Sequence, residues 1–553
     1  MKLKNLFLGS LACLAFAACS NDDDAVVNPG AENGHFVTIN IAVPNETRAA
    51  TEDFETGSDV ENAVSGSALF VFFKSDGSFH SAADVTLAWN DGTQDLNPAL
   101  SRLGKAYVMF DEPTNLPASV IAVLNTDLTS TSSEIANKSL SEIKALVGEY
   151  SSTSKFVMTN SVWANSSEVA ITNAHLTEKA EKGTAPTETE VNGATPVNIY
   201  VERVLAKVKV LKPTSLTVNS TTIEVSETTD GKVYTYKDLE LIPAIKGYHL
   251  SYTAPESYLI KNITDCAATW DNGTIYNSTT VGYENWSDDS NKRSYWAYSA
   301  PTSVWSSSAD PAWGHDKYSE SVDHTSDAAL EFYCLENTLG SNGDNTTATK
   351  LVVTAQLTTD GSTSVGNLIK YMGMYYLESD FLKLAAQKLI DAGFDYETST
   401  PGTYSSDWAA YLKTTRTVNE KAWEVIVTTK NDMPAVIRQN KSTSDVAAIQ
   451  TLLGGMDKAW EWQDGRCYYF IDVNHINSKP AIIRNHIYSL NITAISGLGT
   501  PVYNPDTDED GTPDEDEEEE IIPEKPTPDA FFVAAKLDIL KWRIVGQQNV
   551  TLE

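Results

Sequence analysis

The chain has 553 residues, with 75 Asp plus Glu against 40 Lys plus Arg, a formal net charge of −35 and 41% apolar residues. That acidic balance argues against nucleic-acid binding, which needs a basic face, and suits a solvated surface repelled by anionic envelopes. The length exceeds what one core usually organises, so two domains are expected.

The elements begin with Lys2 and Lys4, an apolar run from Leu6 to Ala18, and then Cys19 after the small pair Ala17-Ala18. A basic start, a short apolar stretch and small residues before a cut make a secretory signal. The run is too short to span a bilayer, which takes about 20 residues. A cysteine after a small pair resembles a lipobox, whose thiol takes a diacylglyceryl chain and becomes the new N-terminus. Cys19 is therefore the expected lipidation site. The next residues, Ser20-Asn21-Asp22-Asp23-Asp24, resemble the surface-export signal of Bacteroidetes lipoproteins. The precursor is expected on an outer membrane, facing outward.

Val37, Ile39, Ile41 and Val43 alternate with Phe36, Thr38, Asn40 and Ala42, and Pro44 closes the run. Period-2 alternation predicts a strand with one face inward. The polar stretch Asn45 to Thr51 follows, with one arginine before small residues, and a trypsin-like protease would cut it between Arg48 and Ala49.

Further apolar runs separated by Ser, Thr, Asn, Asp and Gly clusters predict many short strands, hence β-sandwiches. They include 68–73, 119–124, 197–210, 351–355, 423–427 and 487–495. Helices are few. Ser139-Leu140-Ser141-Glu142 is a capping box, with Gly148 as a stop. Residues 377–392 carry Phe381, Leu384, Ala385 and Leu389 at helical spacing, with Gly393 as C-cap. Both helices are expected to pack over a sheet.

Residues 270–313 contain Trp270, Trp286, Trp296, Trp305 and Trp313 without periodicity, so a long loop is expected. Its tryptophans either pin the loop to the body by burying aromatic area or stack on sugars; the first reading is favoured. Beyond Cys13 and Cys19 the cysteines are Cys266, Cys334 and Cys467, an odd set with no complete disulfide framework. Cys266 and Cys334 either pair or stay free and buried. His475 and His486 lie in a strand block and are expected to be structural.

After residue 500, Asp and Glu dominate 506–520, and Pro523, Pro526 and Pro528 follow. Like charges repel and prolines stiffen, so 501–529 is an extended linker. Asp506, Asp508, Asp510 and Glu517 fit a calcium-loop pattern. Prolines flank that pattern in a tract where almost every residue is acidic, so a solvated spacer is the favoured reading and no metal is assigned. The linker delivers 530–553. There Val533, Ala535, Leu537 and Ile539 alternate with Ala534, Lys536 and Asp538, and a last short strand carries Val550 and Leu552.

The two ends are alike in kind. A cut after Arg48 separates the body from both the lipid and the first strand. If that strand completes a sandwich, its loss leaves an apolar groove with unpaired backbone, a template for another chain's strand. Four inward side chains at roughly 1.5–3 kcal/mol each give on the order of 6–12 kcal/mol before entropy costs. Tethering protects the uncut strand from displacement, and head-to-tail contacts that do not close build filaments.

Tyr200-Val201-Glu202-Arg203-Val204-Leu205-Ala206-Lys207-Val208 resembles the V-E-R-x-x-A-K/R segment of Bacteroidetes fimbrilins. Tyr468-Tyr469-Phe470 with Asn474, then Ile483-Arg484-Asn485-His486-Ile487-Tyr488 with Ile492, Ile495 and Leu498-Gly499, resembles their R-N-x-x-Y block. The acidic linker, the apolar strand, Leu540-Lys541-Trp542 and the last short strand are similar to the end of the Mfa-type major subunit. The resemblance covers both ends and the middle of the chain, with 215–460 similar only in character. It implies a mainly β fold of two transthyretin-like β-sandwich domains with a few short helices, a removable N-terminal strand and a C-terminal donor strand. The expected division is signal 1–19, propeptide 20–48, N-terminal sandwich 49–212, C-terminal sandwich 213–500, linker 501–529 and donor region 530–553. It also implies the stalk role, lipid on Cys19, cleavage at Arg48–Ala49 by an arginine-specific protease, and a mature extracellular fimbrium. Expected partners are identical subunits, anchor and tip subunits, that protease, and the outer membrane through the lipid.

No P-loop, HExxH helix or G-x-S-x-G elbow is present, so neither catalysis nor a cofactor is expected. The alternatives are a surface-anchored lipoprotein binding glycans through 270–313, or an accessory or tip subunit of the same fimbria.

Overall fold

The structure, a computed structural model, describes residues 34–44, 58–64, 67–90, 100–110, 115–152, 154–162, 167–179, 184–211, 216–229, 232–263, 287–288, 293–294, 296–300, 330–338, 348–416, 424–475, 480–501, 537–540 and 549–552. Among those residues it is mainly β, in several sheets.

The first sandwich has two layers. One holds Ala88–Asn90, Leu100–Phe110, Gly34–Pro44 and Leu176–Lys179. The other holds Phe79–Thr86, Ser67–Phe73, Ser119–Leu124 and Met158–Asn160. Val197–Arg203 joins them. Its first half lies parallel to Gly34–Pro44, and its second half pairs antiparallel with Met158–Asn160.

The run Ala68 to Phe73 is apolar at every position because both its faces are covered. Ala68, Phe70 and Phe72 enter the sandwich core with Val37, Ile39, Val108 and Ile199. Leu69, Val71 and Phe73 face outward into a second apolar layer with Val204, Leu205, Leu259, Ile260, Trp296 and Ile483. That layer joins the first sandwich to the rest of the chain. Continuous apolar runs are what strands buried on both faces look like in sequence.

The sheet changes between Arg203 and Ala206. Ala206–Leu211 leaves the first sandwich and lies between Leu330–Cys334, antiparallel, and Ile487–Ile495, parallel. This changeover falls a few residues before the 212–213 boundary read from the sequence, because 197–210 is two strands rather than one.

Opposite this sheet stands a larger one, built around the long strand Lys232–Ser251. That strand pairs first with Thr221–Thr229 and then with Lys350–Thr358, and Arg466–Asp472 follows on the far side. Val208, Val210, Leu351, Val353, Ala355, Tyr469, Leu490 and Ile492 fill the space between the two sheets. The helix Glu378–Asp391 follows the expected spacing, burying Phe381, Ala385 and Leu389. Gly393 closes it at φ +78°, where a Cβ would strike the Asn440 side chain. A second helix, Val446–Leu453, is N-capped by Asp445 and packs beside it over a separate apolar cluster.

Candidate functional site

Gly34–Pro44 lies inside its sheet. Leu100–Phe110 runs antiparallel along one edge from His35 to Pro44. Leu176–Lys179 and then Val197–Arg203 take the other edge. Phe36, Val37 and Ile39 are fully buried, and Thr38 is 2% exposed. The strand is therefore covered on both faces over 36–39, where simple alternation predicted one. Ile41 and Val43 belong to the same strand by backbone register, opposite Gly104 and Arg102. Among the described strands, Gly34–Pro44 is what links Leu100–Phe110 and Ala88–Asn90 to the rest of their layer.

The tail approaches a different edge. Leu537–Leu540 pairs antiparallel with Ile487–Leu490, and Asn549–Leu552 pairs parallel with Asn491–Ile495. Since Ala206–Leu211 holds the other edge of Ile487–Ile495, that strand is central only while the tail sits on it. Leu537, Ile539, Val550 and Leu552 thus lie on strands of the chain's own second sandwich. Cys19, Arg48, Ala49, Val533, Ala535, Asp506, Asp508, Asp510 and Glu517 lie outside the described residues.

Between the two strand sites sits a buried polar junction made by the two motif blocks. Glu202 accepts from Lys261 Nζ at 2.9 Å with both side chains fully buried, and Lys261 also donates to the Ser294 carbonyl at 2.8 Å. Burial pulls the Lys261 amine down, against the pull of Glu202 and Glu336. Arg484 grips Glu336 Oε2 through Nε at 2.9 Å and Nη2 at 2.7 Å, and gives Nη1 to the Leu259 carbonyl at 3.1 Å. Arg203 donates to the Glu61 carbonyl at 2.9 Å, to Asn485 Oδ1 at 3.2 Å and to Asn62. Lys207 pairs with the Glu61 carboxylate at 2.5 Å. Burial works to raise the Glu61 carboxyl, but Lys207 and the Ser58 capping bonds together hold it below the usual carboxylate range. Ser58 and Glu61 form a capping box at the short helix Asp59–Asn62.

Sequence reading found Glu202, Arg203, Lys207, Arg484 and Asn485 as motif letters but missed their partners Glu61, Lys261 and Glu336. Those lie far away along the chain, and only the Ser58-to-Glu61 capping spacing offered a signal. His475 and His486 are buried, as expected of structural residues, with His475 Nδ1 3.1 Å from the Tyr488 hydroxyl. Trp296 is 1% exposed in the apolar layer between the sandwiches. Cys334 and Cys467 are buried free thiols; Cys266 and Trp270, Trp286, Trp305 and Trp313 lie outside the described residues.

Residues 461–524 match the family described as "Major fimbrial subunit protein type IV, Fimbrillin, C-terminal". That stretch includes Arg466–Asp472, the Arg484-Asn485 turn and Ile487–Ile495. No curated protein matches the chain. Similar solved structures include a candidate cell adhesion protein of Bacteroides eggerthii, at 11% identity over 93% of this chain and 97% of that one, TM-score 0.32. A candidate cell adhesion protein of Parabacteroides distasonis is 11% identical over 94% and 98%, TM-score 0.34. A C-terminally truncated tip fimbrial protein of Porphyromonas gingivalis is 11% identical over 85% and 96%, TM-score 0.26.

Proposed function

We propose that this chain, whose residues 461–524 match a fimbrillin family model, is a stalk subunit of a cell-surface fimbria, polymerised head to tail by strand exchange. The precursor is lipidated on Cys19 and held at the outer membrane. An arginine-specific protease cuts between Arg48 and Ala49. The strand bearing Val37, Ile39, Ile41 and Val43 leaves, and a strand from the 530–553 tail of a second copy takes its place. Anchor and tip subunits end the polymer, and its role is adhesion.

One observation carries the reading: the segment upstream of Arg48 is an internal strand of the first sandwich, buried on both faces over 36–39 and paired on both edges. An internal strand that a single nick frees from the chain is a stopper. The tethered strand outcompetes any incoming donor by its effective concentration, and the cut removes that advantage. The test is Arg48→Ala expressed in the native cell. Lipidated monomers with no fibres are expected, and wild-type fibres are expected to start at Ala49. Normal fibres from the variant would sink the switch.

A further inference from the structure

Resting on that exchange, we infer that the strand entering the vacated slot is 532–539 of a second copy, running in the direction of the strand it replaces. Phe532 takes the place of Phe36. Val533, Ala535, Leu537 and Ile539 take those of Val37, Ile39, Ile41 and Val43.

The argument starts from the double-sided burial of the slot. Phe36, Val37, Thr38 and Ile39 are all buried, so an occupant needs four consecutive uncharged residues there. At Asn40 the requirement relaxes. Its amide reaches Asn198 Oδ1 at 3.1 Å in an exposed setting, and the residue opposite is the exposed Lys105. The residues Phe36-Val37-Thr38-Ile39-Asn40-Ile41-Ala42-Val43 and Phe532-Val533-Ala534-Ala535-Lys536-Leu537-Asp538-Ile539 then correspond position by position. The tail's first charge falls where burial ends, and its apolar alternation continues beyond it. Lys536 faces Lys105, a like-charge contact that solvent and salt screen, and Asp538 stands on the diagonal to Lys105 and offsets it.

Other registers fail on burial, on volume or on alternation: sliding the tail one residue back, for instance, puts Phe532 in the place of Val37 and Lys536 in that of Ile41. Sliding it one residue forward puts Lys536 in the fully buried place of Ile39. Sliding it two puts Lys536 in that of Thr38. Sliding it two the other way forces the Phe532 ring into the place of Thr38, an overpacking of a closed site. Reversing the strand so that 532–535 fill the four buried places brings Asp529 and Pro528 onto positions 42 and 43, and proline cannot donate to a ladder. The final strand Asn549–Leu552 is too short. With Val550 and Leu552 inward it buries the Asn549 amide in the place of Phe36 and sets the Glu553 carboxylate opposite Lys105. In the structure Leu537–Leu540 rests on Ile487–Leu490 of its own chain, so exchange requires this strand to leave that edge.

Two native lysines make the test direct. An amine-reactive crosslinker of short span, applied to purified wild-type fibres and read by peptide mass spectrometry, should join Lys105 to Lys536, and this link should be absent from uncut monomers. The paired variant Lys105→Cys with Lys536→Cys should give a covalent ladder on non-reducing denaturing gels, with Lys105→Cys alone as background. Directly opposed strand positions lie close enough for a disulfide. A ladder from Lys105→Cys with Glu553→Cys, and none with Lys536→Cys, would overturn the assigned segment while leaving strand exchange intact. A ladder with Asp538→Cys in place of Lys536→Cys would overturn the register alone. Cut wild-type subunits that stay monomeric would overturn the exchange itself and this assignment with it.

Discussion

Arg203 and Asn485 meet side chain to side chain at 3.2 Å across 282 residues of sequence. Arg203 ends the strand that pairs with Gly34–Pro44, and Asn485 lies in the turn into the strand on which the tail rests. The backbone repeats the connection: the Asn485 amide donates to the Leu205 carbonyl at 2.8 Å and the Lys207 amide to the His486 carbonyl at 2.9 Å. The two motif blocks are therefore one buried structure, linking the sheet that holds Gly34–Pro44 to the strand on which Leu537–Leu540 rests.

The buried pair Glu202–Lys261 should behave asymmetrically on mutation. Lys261→Met strands a carboxylate in a dry site, and about 3–5 kcal/mol of stability should be lost. Adding Glu202→Leu removes the stranded charge, and most of the loss should return, short of about 1 kcal/mol for the Ser294 carbonyl left unpaired. Denaturant midpoints of the wild type, both single variants and the double variant check this. Equal losses in the single and double variants would mean that the cost is packing, not charge.

Glu461 should give the protein a measurable alkaline weakness. It is 1% exposed, and the Thr414 hydroxyl lies 3.0 Å from its Oε1 and 3.2 Å from Oε1 of Glu378. One hydroxyl hydrogen cannot serve two carboxylates, so a proton on one of them completes the set. Burial and the Glu378 charge push the Glu461 carboxyl from its ordinary 4.5 up to about 8. Between those values the folded chain holds a proton that the unfolded chain has lost, so stability falls as pH rises. The slope is at most about 1.4 kcal/mol per pH unit, and it flattens above pH 8. Glu461→Gln should match the wild type below about pH 4.5 and exceed it at pH 8 and above. Parallel stability curves across that range would refute the shared proton.

Strands with turn residues at both ends were legible in the sequence, and 119–124 and 487–495 needed no correction. Harder to read was anything decided by a partner remote in the chain. Arg203 and Lys207 look like solvent-facing charges at the end of a strand, and only Glu61, Asn62 and Asn485 turn them inward. For the same reason 197–210 read as a single strand, since the change of sheet at Val204-Leu205 leaves no break in its apolar character. The first strand was legible as a strand, but alternation concealed the burial of Phe36 and Thr38, which depends on what covers the second face. The shared carboxyl site of Glu378, Thr414 and Glu461 has no sequence pattern at all.

Neither described free cysteine should react in the folded protein. Burial pushes the Cys334 thiol up to about 12 and that of Cys467 higher still. A maleimide or disulfide reagent at pH 8 should leave both untouched for hours and label both within minutes in denaturant. Labelling of Cys467 at the native rate of a surface thiol would show that the core between the large sheets opens.

Ile39→Ala provides a test that separates precursor from fibre. Ile39 is fully buried in the first sandwich core beside Val108, Val197 and Ile199. Truncating a side chain in such a place leaves a cavity, and the uncut precursor should lose about 2–5 kcal/mol. The residue lies upstream of Arg48, so under the proposed exchange it is absent from the mature subunit. Fibres grown from the variant should then match wild-type fibres in heat and denaturant resistance, while its precursor unfolds earlier. The complementary change, deletion of 530–553, should leave the precursor's first strand in place and yield cut subunits that never polymerise. If Ile39→Ala weakens the fibre as much as the precursor, the first strand stays in the polymer and the slot is never vacated.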